Sequence, residues 1–195
     1  MKTLYTILLF FFSITLLSSS CKKHVIQPVT QLPPATQTGA NTFGCLINGQ
    51  AFLPHNNGNI FNFDPPALQA SYVYTGGYYF SILADNHNSD GSITNITVET
   101  DSLSISQGQS FKLTASYAHG TTGAGGSAGA AYNIFGPSGI YNYYTSANLA
   151  SGLLTITYLD SQKRIVSGTF YFNVLNNTND TVKITNGRFD MHYTR

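Results

Sequence analysis

Apolar and polar side chains alternate with a period of two through most of the chain beyond Thr42, and most regularly near its C-terminal end. Leu154, Ile156 and Tyr158 alternate with Thr155 and Thr157. After the polar turn Asp160-Ser161-Gln162, Val166, Gly168, Phe170, Phe172 and Val174 alternate with Ser167, Thr169, Tyr171 and Asn173. Period two gives a strand one apolar and one polar face, the requirement of a half-buried antiparallel sheet. Asn176-Asn177-Thr178-Asn179-Asp180 predicts a further turn, after which Val182 and Ile184 resume the pattern. Asn186-Gly187 then predicts a turn or bulge before Phe189, Met191 and Tyr193.

The earlier part of the chain reads the same way. Asn48-Gly49 between two apolar runs predicts a tight hairpin, because both residues tolerate positive φ, and Pro54 ends the second strand. Strands over 68–74 and 78–84 flank Thr75-Gly76-Gly77; further strands are predicted over 93–98, 111–117, 131–134 and 140–144. Residues 119–131 are rich in glycine and read as a surface loop. No segment shows a 3.6-residue period of helical length. Roughly eight to ten short strands with turn signals between them predict an all-β domain, an antiparallel β-sandwich, with an up-and-down β-barrel as the alternative.

Residues 1–20 break this pattern and are set apart as a targeting signal: Lys2, then an apolar run from Leu4 to Leu17. The run is shorter than the ~20 apolar residues of a permanent membrane-spanning helix. Leu17-Ser18-Ser19-Ser20-Cys21 resembles the lipobox of bacterial lipoproteins, with Ser18 where leucine is usual. That resemblance implies lipidation of Cys21 as the mature N-terminus; the alternative is ordinary signal cleavage, which leaves a thiol able to pair with Cys45. Residues 21–41, rich in Pro, Gln, Thr and Ala, are expected to form the lipidated cysteine and a flexible tether, leaving 42–195 as a single domain. Lys22, Lys23 and His24 carry neither the acidic surface-export signal of some Gram-negative lipoproteins nor the aspartate of inner-membrane retention. The implied address is therefore the outer membrane, facing the periplasm.

Charge is sparse: nine basic and eight acidic side chains, or eight of each once Lys2 is removed with the signal. A neutral surface offers no electrostatic footprint for nucleic acid. Cys45 lies at strand spacing between Phe43 and Ile47 and reads as a buried small hydrophobe. Asn86-His87-Asn88-Ser89-Asp90-Gly91 matches the first half of a Ca²⁺ loop, but Thr97 stands where the bidentate glutamate belongs. His55, His87, His119 and His192 are scattered, no G-x-S-x-G elbow occurs, and no pair of carboxylates is marked out. No cofactor, metal site or catalytic residue is expected. The remaining signal is tyrosine: Tyr72, Tyr74, Tyr78, Tyr79, Tyr132, Tyr141, Tyr143 and Tyr144 cluster in mid-domain. Strand propensity accounts for such a cluster, but the rings could also stack on a ligand. Tyr141, Tyr143 and Tyr144, beside the glycine-rich run, are the candidate binding residues.

Three C-terminal runs, Ser151 to Thr157, Val166-Ser167-Gly168-Thr169-Phe170-Tyr171-Phe172 and Ile184-Thr185-Asn186-Gly187-Arg188-Phe189-Asp190, follow the Asn-Gly hairpin of the opening strand. Together with the lipobox-like stretch, they resemble a family of small β-rich bacterial lipoproteins of unknown function. The resemblance implies an address and a fold, and carries over no catalytic residue. The expected function is a non-enzymatic, membrane-anchored envelope lipoprotein, held through Cys21, that binds a small ligand, a glycan or a protein partner. A structural envelope protein without ligand, or a hydrolase, are the alternatives.

Overall fold

The computed structural model describes residues 32–56, 66–115, 125–149 and 152–195. The expected signal, Cys21 and the first part of the tether lie outside these residues, as do His119 and the first half of the glycine-rich run.

Among the described residues eleven strands run in order: β1 (Thr42–Ile47), β2 (Gln50–Phe52), β3 (Leu68–Tyr74), β4 (Tyr78–His87), β5 (Ile93–Asp101), β6 (Ser110–Lys112), β7 (Ser127–Gly136), β8 (Gly139–Tyr144), β9 (Leu153–Asp160), β10 (Ile165–Leu175) and β11 (Thr181–His192). They form a six-stranded sheet, β2-β1-β11-β10-β9-β6, packed on a five-stranded sheet, β3-β4-β5-β7-β8. Every strand pairing is antiparallel. The fold is a β-sandwich, and the barrel alternative does not form. The sheets stay separate ladders, stitched at their margins by the isolated bridges His55 to Asn86, Ser71 to Thr194 and Ala115 to Gly129.

Period-two patterning places the core between the sheets. Phe80, Ile82, Ile96 and Val98 of one face meet Leu154, Ile156, Phe172, Val174, Ile184 and Met191 of the other. The predicted Asn-Gly hairpin forms, with φ of 49° at Asn48 and 83° at Gly49. At Asn186-Gly187 the outcome is a bulge rather than a turn: β11 continues through it, Asn186 adopts φ 53°, and the register against β10 shifts.

Several boundaries differ from the sequence reading: β6 spans only Ser110–Lys112 where the pattern predicts 111–117, β4 runs on to His87 and β5 to Asp101. Ser127–Gly136 is one strand, so the second half of the glycine-rich run is sheet rather than loop. A Cβ on Gly129 would lie 2.8 Å from the Ala115 carbonyl oxygen, so small residues there let the crossing segment approach β7. The domain also includes residues 32–40, which composition assigned to the flexible tether. Leu32 is buried and packs with Pro33 where Gly44 has no side chain. Asp190, 1% exposed on the outer face of β11, accepts hydrogen bonds from Thr36 Oγ1 (2.6 Å), Thr38 N (2.9 Å), Gly39 N (2.8 Å), Ala40 N (3.2 Å) and Ser167 Oγ (2.8 Å). An extended, proline-rich strap is thus seated by its backbone donors, which composition cannot reveal.

Candidate functional site: a tyrosine-walled cleft

The β3–β4 hairpin turns through Thr75, Gly76 and Gly77, with Gly76 at φ 79°. Its pairing sets Tyr74 opposite Tyr78 and Tyr72 opposite Phe80. Phe80 fills the core, whereas the three tyrosines continue the same face past the end of the sandwich. Tyr72 and Tyr78 stack with centroids 5.6 Å apart, Tyr74 and Tyr78 lie 5.0 Å apart, and Tyr193 meets Tyr72 edge-on at 5.9 Å. Tyr74 is 67% exposed and Tyr78 44%, the most open aromatic pair among the described residues.

These rings form one wall of a cleft of about 930 Å³. Leu159 of β9 and Ser161 just after it also line the cleft, with Ser104, Ile105, Tyr193 and Arg195. The Tyr72 hydroxyl accepts the Ile105 N–H at 3.1 Å, which ties the hairpin to the connection after β5. Burial pushes the Tyr72 phenol above its ordinary pKa; the Ile105 bond opposes this, while Tyr78 and Tyr193 add to it. Arg195 donates to the Ser161 carbonyl at 2.7 Å, holding its guanidinium at the rim. Volume, concavity and an aromatic lining with a few fixed polar groups are the attributes of small-ligand sites.

A second concavity of about 360 Å³, lined by Asp85, Asn95, Glu99 and Asn133 among others, lies on the outer face of the five-stranded sheet. Cross-strand neighbours Asp85, Asn95 and Asn133 form a row. Asn95 Nδ2 donates to Asp85 (2.7 Å), while Asn95 Oδ1 accepts from Thr97 Oγ1 (3.0 Å) and Asn133 Nδ2 (2.8 Å). Burial raises the Asp85 pKa, against the Asn95 bond and the nearby His87. Asn133 Oδ1 has no hydrogen-bond partner among the described residues.

The three tyrosines singled out from the sequence do not share a surface. Consecutive strand residues point to opposite faces, so Tyr144 lines the second concavity while Tyr143 stacks on Tyr132 at 5.8 Å against the core margin. Tyr141 donates its hydroxyl to the Ser138 carbonyl at 3.2 Å. The cleft uses Tyr72, Tyr74 and Tyr78 instead. Their signal was two tyrosines at strand spacing before a Gly-Gly turn and one directly after it, which places all three on one face. Tyr193 and Arg195 join them only through the tertiary fold.

Cys45 is fully buried, and burial drives its thiol far above the usual range. The Asn86–Gly91 side chains close their own turn: Asn88 donates to Ser92 and Thr94, Asp90 accepts from Ser92, and Asn86 reaches the Leu53 carbonyl. Among the described residues no three His, Cys, Asp or Glu side chains gather as a metal site would require.

Residues 104–191 match the model of a domain of unknown function, DUF6252. No curated protein and no solved structure matches the chain. The matched region runs from just before β6 into the end of β11. It supplies Ser104, Ile105, Leu159 and Ser161 to the cleft, but Tyr72, Tyr74, Tyr78, Tyr193 and Arg195 fall outside it.

Proposed function

We propose that this protein is a non-enzymatic binding module of the bacterial cell envelope, anchored through a lipid on Cys21 at the periplasmic face of the outer membrane, and that it holds a glycan in the tyrosine cleft. The observation that carries the reading is the contiguous row of Tyr72, Tyr78 and Tyr74 lining a cleft of about 930 Å³, with the Tyr74 and Tyr78 rings exposed. Exposed rings with fixed orientation offer flat apolar faces for sugar C–H groups, while Ser104, Ser161 and Thr75 line the same space with hydroxyls. The described lining contains no carboxylate side chain, histidine or cysteine, the side chains that most often perform acid–base or nucleophilic chemistry, which favours retention over turnover.

The test is thermal unfolding of the domain from Leu32 onward against a panel of envelope glycans, neutral and acidic. A ligand at 100 times its dissociation constant adds ~2.7 kcal/mol, which raises the midpoint of a domain this size by several degrees. The expected result is a rise with at least one glycan class that Tyr78→Ala abolishes. A rise that survives Tyr78→Ala, or none with any glycan, refutes the assignment of the cleft. Anchoring is tested separately: Cys21→Ala is expected to move the protein from the membrane fraction to the soluble one.

A further inference from the structure

The one charged side chain among the described cleft residues is the Arg195 guanidinium. It lines the same space as Tyr72, Tyr74 and Tyr78, together with Tyr193 and Ser161, and the residue before it, Thr194, accepts the Tyr72 backbone N–H at 2.9 Å. One of its nitrogens is fixed by the Ser161 carbonyl at 2.7 Å, which orients the group and leaves the rest of its five N–H donors for another acceptor. The carboxylate next along the chain, Asp160, does not line the cleft. It is engaged by the backbone N–H groups of Gln162 and Lys163 at 3.0 and 2.9 Å, and by the Lys163 ammonium at 3.8 Å. A planar guanidinium with an unused fork recognises a carboxylate through two parallel N–H···O bonds, a geometry that neutral hydroxyls do not match.

Resting on the glycan reading above, we infer that the cleft selects acidic saccharides: a uronic acid ring stacked on Tyr74 and Tyr78 with its carboxylate paired to Arg195. Tyrosine stacking provides affinity for a pyranose face whatever its charge. Arg195 provides the preference for a carboxylate at the ring's edge.

The test compares two probes with one skeleton, oligogalacturonate and its fully methyl-esterified form, by isothermal titration calorimetry on the domain from Leu32 onward. A charge-assisted pair of this kind predicts about tenfold or greater preference for the acid. Arg195→Gln is expected to bring the acid down to the affinity of the ester and leave the ester unchanged. Added salt is expected to weaken the acid alone, since the pair lies at an exposed rim. Equal binding of acid and ester, or a preference that persists in Arg195→Gln, overturns the selectivity while leaving the glycan reading intact. Absence of binding by both probes, with a neutral glycan shifting the unfolding midpoint in a Tyr78-dependent way, likewise overturns only the selectivity. If no glycan binds, both fall.

Discussion

Phe189 lies over Gly168, its direct partner in the β10–β11 ladder, and a Cβ built on Gly168 would meet the Phe189 ring at 2.5 Å. The relationship repeats two residues away with the strands exchanged: Phe170 is opposite Gly187, whose Cβ would meet its ring at 2.5 Å. Both rings are buried, 6.5 Å apart between centroids, so each glycine makes room for the phenylalanine of the other strand. The two central strands of the six-stranded sheet are keyed together by this exchange, and with them the register that carries Asp190 and Tyr193 to their places.

Alanine at Gly168 therefore overpacks the core. Its methyl group would clash with the Thr155 carbonyl oxygen as well as the ring, and a backbone atom in a paired strand has little freedom to yield. We expect Gly168→Ala to cost about 1–3 kcal/mol. Gly187→Ala, which meets only the Phe170 ring among its nearest atoms, is expected to cost less. Urea unfolding midpoints order the two variants, and an equal or reversed order would sink the keying account.

Asp190 makes stability depend on acid. Burial favours its neutral form, but hydrogen bonds from Thr36, Thr38, Gly39 and Ser167 outweigh that and hold the carboxyl well below its ordinary pKa. The unfolded chain then takes up a proton near pH 4 before the folded one does, so stability present above about pH 4 is lost as pH falls below it. Asp190→Asn sets an amide against the Thr38 and Gly39 N–H groups and is expected to cost about 2–4 kcal/mol at neutral pH. Its midpoint is expected to vary less between pH 5 and pH 2.5 than that of the parent.

The strap also predicts where a stable domain begins. A chain starting at Thr42 lacks buried Leu32 and leaves the Asp190 carboxylate without its Thr36 to Ala40 donors. Compared with a chain starting at Leu32, it is expected to lose about 2–4 kcal/mol. Equal unfolding midpoints would mean that the strap contributes no net stability.

Asp85 runs the other way. Burial raises its pKa, so the folded state binds a proton more readily than the unfolded chain and the buried charge is a penalty once pH rises above about 4. Asp85→Asn retains an acceptor for Asn95 and removes the charge. A higher unfolding midpoint at pH 7 is expected, with the gain shrinking toward pH 3.5; a lower midpoint at pH 7 would show that the charge itself holds the polar row together.

The strands, the Asn48-Gly49 hairpin and the apolar face of β9 to β11 were determined by sequence alone, because period-two burial and turn chemistry are local properties. The sequence marks Tyr72, Tyr74 and Tyr78 only as part of a tyrosine cluster flanking a Gly-Gly turn, and the β3–β4 register puts them on one face. Local rules did not reveal that this face outruns the core, since exposure depends on where the opposite sheet ends. For the same reason Tyr141, Tyr143 and Tyr144, adjacent in sequence, were divided between two faces by the pleat. Only the tertiary structure brought Arg195 into the cleft those rings line, seated residues 32–40 on Asp190 some 150 positions away, and drew Ala115 onto Gly129. Those contacts join elements remote in sequence, and their energy lies in donors, carboxylates and ring edges that no local period encodes.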